Sequence, residues 1–207
     1  EEILVLYFLD TEIIKINIRN YSIYKIEPNN EGPVYSALKA TGIPDKTPFI
    51  LTYCDFFVEW DYNLFKNSVH GYDMAIPSFK GFHPASYGKT KYAYTKVDSK
   101  NELIGLKEKE SYTENRVDEF ANSGIYYFKS WKTFEVNSNK LISNGYGPLK
   151  EGYVSLIANV IKQNGGKVLI TEITKFICLG TPEDYEMYKF WSEYFLINSS
   201  SSFPFPT

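Results

Sequence analysis

The chain has 207 residues, 43% of them hydrophobic and 23% charged, which suits one domain with a substantial core and excludes a disordered chain. A net charge of -3 excludes the basic face that nucleic-acid binding requires, and no apolar run approaches the roughly 18 residues of a membrane span. Two cysteines and two histidines, scattered without ligand spacing, exclude a zinc site.

In chain order, the continuous apolar run over 3–9 reads as a buried strand, too short and too acidic at its start for a signal peptide or anchor. A second strand is expected over 21–26. Glu31-Gly32-Pro33 opens a helix to about Thr41, with Gly32 at the N-cap, Pro33 in the first turn and Gly42 as the stop. The run 48–53 is a strand, 60–67 a helix and 74–79 a strand. Residues 92–97 and 103–109 flank the turn Asp98–Asn101 as a hairpin, and 124–128 is a further strand. Tyr153, Ile157, Val160 and Ile161 share one face of a helix over 153–163 that Gly165-Gly166 ends. A strand over 167–173 follows. The last helix, 182–195, carries Tyr188, Trp191 and Phe195 in one stripe, and 198–207 is expected to be a flexible tail. Strand–helix alternation at both ends predicts an α/β domain over 1–197 with a mainly parallel, Rossmann-like sheet. The strand-rich middle predicts a smaller antiparallel extension over about 85–128.

The basic residues are 20 Lys and two Arg, Arg19 and Arg116, so any phosphate chemistry must use Lys, backbone amides, helix ends or a metal. Asp55 follows a strand. It reads either as a turn residue or as a carboxylate that holds a divalent ion on a phosphate, since ligands of open α/β sheets gather at strand ends. Asp61, six residues on, reads as a solvated charge. Asn29–Pro33 is a strand-to-helix turn that could also present amides to an anion. Gly180–Asp184 is explained by helix capping. Glu108-Lys109 is surface charge or, in a cleft, an acid for sugar hydroxyls beside a phosphate-neutralising amine. His83 is a loop residue or a ligand contact.

Five ordered strings, NNEGPVYSALKA, PFILTYCD, GLKEKE, SGIYYF and FICLGTPEDYEMY, resemble the sugar-phosphate nucleotidyltransferase family over about residues 1–195. GFHP, YAY and GIYYF lean toward its capsule and cell-surface saccharide branch. The resemblance implies transfer of a nucleotidyl group from a nucleoside triphosphate to a sugar 1-phosphate or similar acceptor, releasing pyrophosphate for surface-polysaccharide precursors. It implies Mg2+ held by Asp55, a base pocket at Gly32 and Pro33, a sugar-phosphate contact by Glu108 and Lys109, and Gly124 beside the sugar. In this reading Asp55 and Lys109 are the catalytic residues. The expected partners are the two phosphorylated substrates, with no nucleic acid and no membrane. The expected setting is the cytoplasm, and a homo-oligomer is compatible with the sequence.

Two departures stand out. Cys178 occupies the place where many family members carry a second metal-binding Asp, and Cys is a poor ligand for a hard ion. The glycine-rich triphosphate loop that opens the family is not matched, so the chain as given is expected not to turn over alone. The rival readings are a non-catalytic sugar-phosphate or nucleotide-sugar binding domain, and a sugar-nucleotide glycosyltransferase. The second of these lacks its usual Asp-x-Asp, because Asp55 is followed by Phe56 and Phe57.

Overall fold

Short apolar runs between Gly, Pro and Asx punctuation set the strands, and the computed structural model describes residues 3–7, 21–27, 30–81, 92–146 and 149–198. β1 (Ile3–Tyr7) and β2 (Tyr21–Lys25) pair in parallel, Ile3 opposite Tyr21, as a two-stranded sheet. Helix α1 (Pro33–Ala37) begins where the sequence places it, with Gly32 at the N-cap and Pro33 first. It ends sooner than Thr41: Lys39 N–H bonds Ser36 C=O and Ala40 N–H bonds Ala37 C=O, so the chain tightens into three-residue turns.

The remaining elements are β3 (Phe49–Thr52), β4 (Phe56–Glu59), α2 (Tyr62–Ser68), β5 (Met74–Phe79), β6 (Ala93–Val97), β7 (Leu103–Glu108), β8 (Phe120–Asn122), β9 (Ile125–Phe128), α3 (Trp131–Asn144), α4 (Ile157–Gln163), β10 (Val168–Glu172), β11 (Lys175–Cys178) and α5 (Pro182–Asn198). The class is mixed α/β. The expectation of a mainly parallel sheet is corrected by the pairing. In the seven-stranded sheet, ordered β3-β9-β5-β8-β6-β7 with β10 on β5, the one parallel pair among the described strands is β5–β10. The others are antiparallel. The reason is that β6 and β7 are joined by a short return, which permits only an antiparallel pair, while β8 and β9 lie end to end along β5 and run against it, and β9 also supplies the antiparallel partner of β3. The antiparallel middle is present across its described residues, and Phe82, His83 and Pro84 lie outside them.

β5 is buried along its whole length, with β10 on one edge and both β8 and β9 on the other. Its Pro77 lacks an N–H, which a central strand normally needs. Here the Pro77 carbonyl accepts from Ser123, and its nitrogen faces the break between β8 and β9, where no ladder bond is required. The main core joins β5, β9 and β10 to α3 and α4 through Ile76, Phe128, Phe134, Ile157, Ile161 and Ile170. Gly165 takes φ +80 and Gly166 N–H bonds Ile161 C=O, the predicted stop of α4.

Four elements escape the sequence reading: α3, β4, β11 and the short β8. α3 buries Trp131, Phe134, Ser138 and Leu141 at helical spacing under a Ser130 cap, but its Asn, Ser and β-branched residues conceal it. β4 and β11 form an antiparallel ribbon with Phe56 opposite Cys178. Asp61, expected as a solvated charge, is exposed, and its carboxylate also caps α2 by accepting from Leu64 N–H at 2.9 Å.

Candidate functional site

The site is built where the ends of β3, β7 and β8 meet the start of the α4 segment. β7 ends at Glu108, and the next residue, Lys109, takes φ +56 while its N–H bonds Tyr92 C=O at 3.0 Å. The left-handed turn costs a non-glycine residue about 1 kcal/mol. It leaves the Lys109 amine hydrogen-bonded to the Tyr153 hydroxyl and 4.4 Å from the centre of that ring. The neighbouring Glu108 carboxylate accepts from the Ser155 hydroxyl. Tyr153 and Ser155 sit at the three-residue turn Val154–Leu156 that leads into α4, and Ser155 is buried. Asn159 of α4 fixes this junction by clamping Leu106 of β7, accepting from its N–H at 3.0 Å and donating to its C=O at 2.8 Å.

Gly32 reaches the same junction from the other side. Gly152 N–H bonds Glu31 C=O at 2.8 Å, and Val34 N–H bonds Gly152 C=O at 3.0 Å. Gly32 lies at φ +93, and a Cβ there would stand 2.8 Å from the Gly152 nitrogen. Only glycine tolerates both the backbone angle and the approach. Pro33 starts α1 beside this contact. Gly124, expected within a strand, instead forms the break between β8 and β9 at φ +91, and its C=O accepts from Tyr53 N–H at 3.1 Å. A Cβ on Gly124 would press on the rings of Tyr53 and Phe56 at 3.0 Å each.

Asp55 lies beyond Tyr53 and is exposed. The β4–β11 ribbon brings Gly180 to it: Leu179 N–H bonds Asp55 C=O at 2.8 Å, and a Cβ on Gly180 would stand 2.7 Å from Asp55 Oδ2. The expected cap is present beside it, with Asp184 N–H donating to Thr181 Oγ1 at 3.1 Å and Thr181 Oγ1 to Asp184 Oδ2 at 2.7 Å. Cys178 Sγ lies 3.6 Å from the same Asp184 oxygen.

Tyr53 ties the two sides together. Burial, then the charge of Glu108, with smaller contributions from Tyr153 and Asp55, pushes its hydroxyl well above the usual tyrosine range. Burial likewise pushes the Glu108 carboxyl up, against its Ser155 hydrogen bond and the Lys109 charge. The Tyr153 hydrogen bond pushes the Lys109 amine up and keeps it cationic. Tyr126 packs edge-on against Tyr53 at 6.1 Å, and burial raises its hydroxyl far up.

Of the predicted residues, Gly32, Glu108 and Lys109 meet the segment Gly152–Ser155, Gly124 and Asp55 lie on either side of Tyr53, and Pro33 follows Gly32 into α1. The sequence reading missed Tyr53, Tyr153 and Ser155. Tyr53 was signalled by its place before Cys54-Asp55, but no linear pattern links Ser155 to Glu108, 47 residues away. For a hard divalent ion, Asp55 offers one exposed carboxylate, and no cluster of three or more acidic, Cys or His side chains exists among the described residues. That fits an ion held by one carboxylate together with substrate phosphates and water. A separate groove of about 330 Å³, lined by Asp73, Lys132, Thr133, Asn137 and Asn164, contains none of the predicted residues. Its polar groups have partners within the protein, with Asn164 donating to Asn137 at 3.0 Å and Asp73 accepting from Lys167 N–H at 2.8 Å.

No protein-family model and no curated protein matches the sequence. Among solved structures, the chain is similar to the nucleoside-diphosphate-sugar pyrophosphorylase from Vibrio cholerae RC9, at 14% identity and a TM-score of 0.65, over 83% of this chain and 70% of that one. It is also similar to HddC from Yersinia pseudotuberculosis, at 19% identity and a TM-score of 0.58, over 93% of this chain and 78% of that one. At these identities the likeness is one of fold, and the fold of this chain is the one those two proteins share.

Proposed function

We propose that the chain forms a site for nucleotidyl transfer from a nucleoside triphosphate to a sugar 1-phosphate or similar acceptor, with release of pyrophosphate. The observation that supports it is the gathering of Glu108, Lys109, Gly124, Gly32 and Asp55 around Tyr53 and Tyr153. Lys109 neutralises the acceptor phosphate, and the Tyr153 hydrogen bond orients it while keeping its charge. Glu108 accepts sugar hydroxyls, in a setting where Ser155 already holds one carboxylate oxygen. The bare backbones at Gly32 and Gly124 let Gly152 and the rings of Tyr53 and Phe56 close up against the main chain and so shape the walls of the site. Mg2+ bound at Asp55 would neutralise phosphate charge. Positioning and charge neutralisation carry the rate, as expected for phosphoryl chemistry. The fold likeness to a nucleotide-sugar enzyme supports the reading. No helix among the described residues is long and apolar enough to cross a membrane. Within this proposal the reaction serves surface-polysaccharide precursors in the cytoplasm.

The test is calorimetry with a panel of sugar 1-phosphates and Mg2+, followed by a pyrophosphate-release assay with nucleoside triphosphates. Lys109→Met should weaken acceptor binding at least about 10-fold, the loss of one charge-assisted phosphate contact. Asp55→Asn should abolish the Mg2+ dependence and most of any turnover. Acceptor binding that survives Lys109→Met unchanged, or a panel in which nothing binds, overturns the proposal.

A further inference from the structure

β7 is the outer strand of the seven-stranded sheet, with β6 on its inner side. An outer strand leaves alternate N–H and C=O groups outside the ladder, and those that are buried need another partner. Leu106 is 6% exposed, so bulk water is shut out there. Asn159 serves both of its groups at once, accepting from the N–H at 3.0 Å and donating to the C=O at 2.8 Å. Asparagine suits this place because one short side chain carries a donor and an acceptor side by side, as a neighbouring strand would.

The same two segments meet again nearby. Ser155 donates to Glu108, and Tyr153 is bonded to Lys109. The contacts run in opposite chain directions, from Leu106–Asn159 through Glu108–Ser155 to Lys109–Tyr153. Their spacings agree. Two strand residues, from Leu106 to Glu108, advance about 6.6 Å. Four residues of helical path, from Asn159 back to Ser155, advance about 6 to 8 Å and return to the same face. The three contacts are therefore rungs of one ladder between β7 and the α4 segment. The Asn159 rung differs in kind. It grips main chain, and its two bonds together fix β7 along the strand axis, whereas the other two rungs are side-chain bonds.

We propose that Asn159 is a positioning residue of the candidate site: its grip on Leu106 sets the register of β7 against α4, and that register places Glu108 on Ser155 and Lys109 on Tyr153. The inference deepens the nucleotidyl-transfer reading and rests on it for the roles of Glu108 and Lys109. Asn159 acts through β7 and not by touching substrate.

The register is read at Glu108 itself. Burial raises the Glu108 carboxyl, and the Ser155 bond opposes that rise. Of the groups that face it, Lys109 stays cationic and Tyr53 and Tyr126 stay neutral through the carboxylate range. In a carboxyl-13C titration, Glu108 should therefore move up in Asn159→Ala, by as much as in Ser155→Ala, and no further in the double variant. Loss of stability alone does not do this: Leu141→Ala, a core truncation in α3, should leave the Glu108 titration where it is. If Asn159→Ala does not fold, Asn159→Ser, too short to reach both groups of Leu106, replaces it. Calorimetry with sugar 1-phosphates should show binding about 10-fold weaker in Asn159→Ala, the worth of one charge-assisted hydrogen bond held out of place. An unchanged or lowered Glu108 titration in a folded Asn159 variant, full additivity with Ser155→Ala, or the same shift in Leu141→Ala overturns the proposal. A parent chain that binds no sugar 1-phosphate overturns the acceptor reading instead, and the titration then still decides whether Asn159 sets the register.

Discussion

The two ends of the candidate site are built differently. At the Glu108–Lys109 end, charged groups already have protein partners: Ser155 for the acid, Tyr153 for the amine, with Asn159 fastening the strand beneath to α4. At the Asp55 end, the carboxylate is exposed and is positioned through backbone, by Leu179 N–H and the bare Gly180. The first end is held by the hydrophobic core through α4, and the second by a two-stranded ribbon at the edge of the domain. A rigid end suits a ligand that must be oriented. An open end suits a group whose coordination is completed from outside the protein.

Substitutions can break or sharpen this contrast, beginning at the rigid end. Gly32→Ala forces a side chain onto a φ of +93 and within 2.8 Å of the Gly152 backbone. The expected loss is about 2–3 kcal/mol in urea unfolding. A loss below about 0.5 kcal/mol would mean that the α1 junction is not rigid. Asn159→Ala leaves the Leu106 N–H and C=O without their partner. It should cost about 2 kcal/mol, and amide exchange at Leu106 should rise with it.

Glu108→Gln moves stability the other way. Burial raises the folded-state value of this acid, so its buried charge is a penalty that is present at neutral pH and relieved as pH falls through that value. The amide removes the penalty and can still accept from Ser155. The variant should be the more stable one at pH 7, and its advantage should shrink toward about pH 4, the ordinary carboxylate range. A variant less stable than the parent at every pH would show that the charge itself is structurally required. The smallest stability effect is expected at the open end. Gly180→Ala crowds Asp55 Oδ2, the far end of an exposed side chain that can move aside. Unfolding should change by less than about 0.5 kcal/mol, while Mg2+ binding weakens if the proposed role of Asp55 holds.

Much of this was legible from residues alone. Period and punctuation gave β5 to within its ends, the β6–β7 hairpin, the stop of α4 at Gly165-Gly166, the start of α1 at Gly32-Pro33 and the Thr181 cap of α5, because each is a local backbone event with a local cause. The residues of the candidate site were also named from sequence, as members of ordered strings. What only the tertiary structure decided is non-local. Strand direction depended on which strand lay beside which, so the sheet proved mainly antiparallel. α3 was hidden by poor helix formers whose cost is met by burying Trp131 and Phe134. Tyr153 and Ser155 acquired partners because β7 and the α4 segment converge in space, and hydrogen bonds between residues more than forty positions apart leave no trace in a linear pattern. The Tyr188–Trp191–Phe195 stripe was legible as a stripe; that it faces solvent rather than the core was not, since amphipathicity says that a face needs covering and not what covers it.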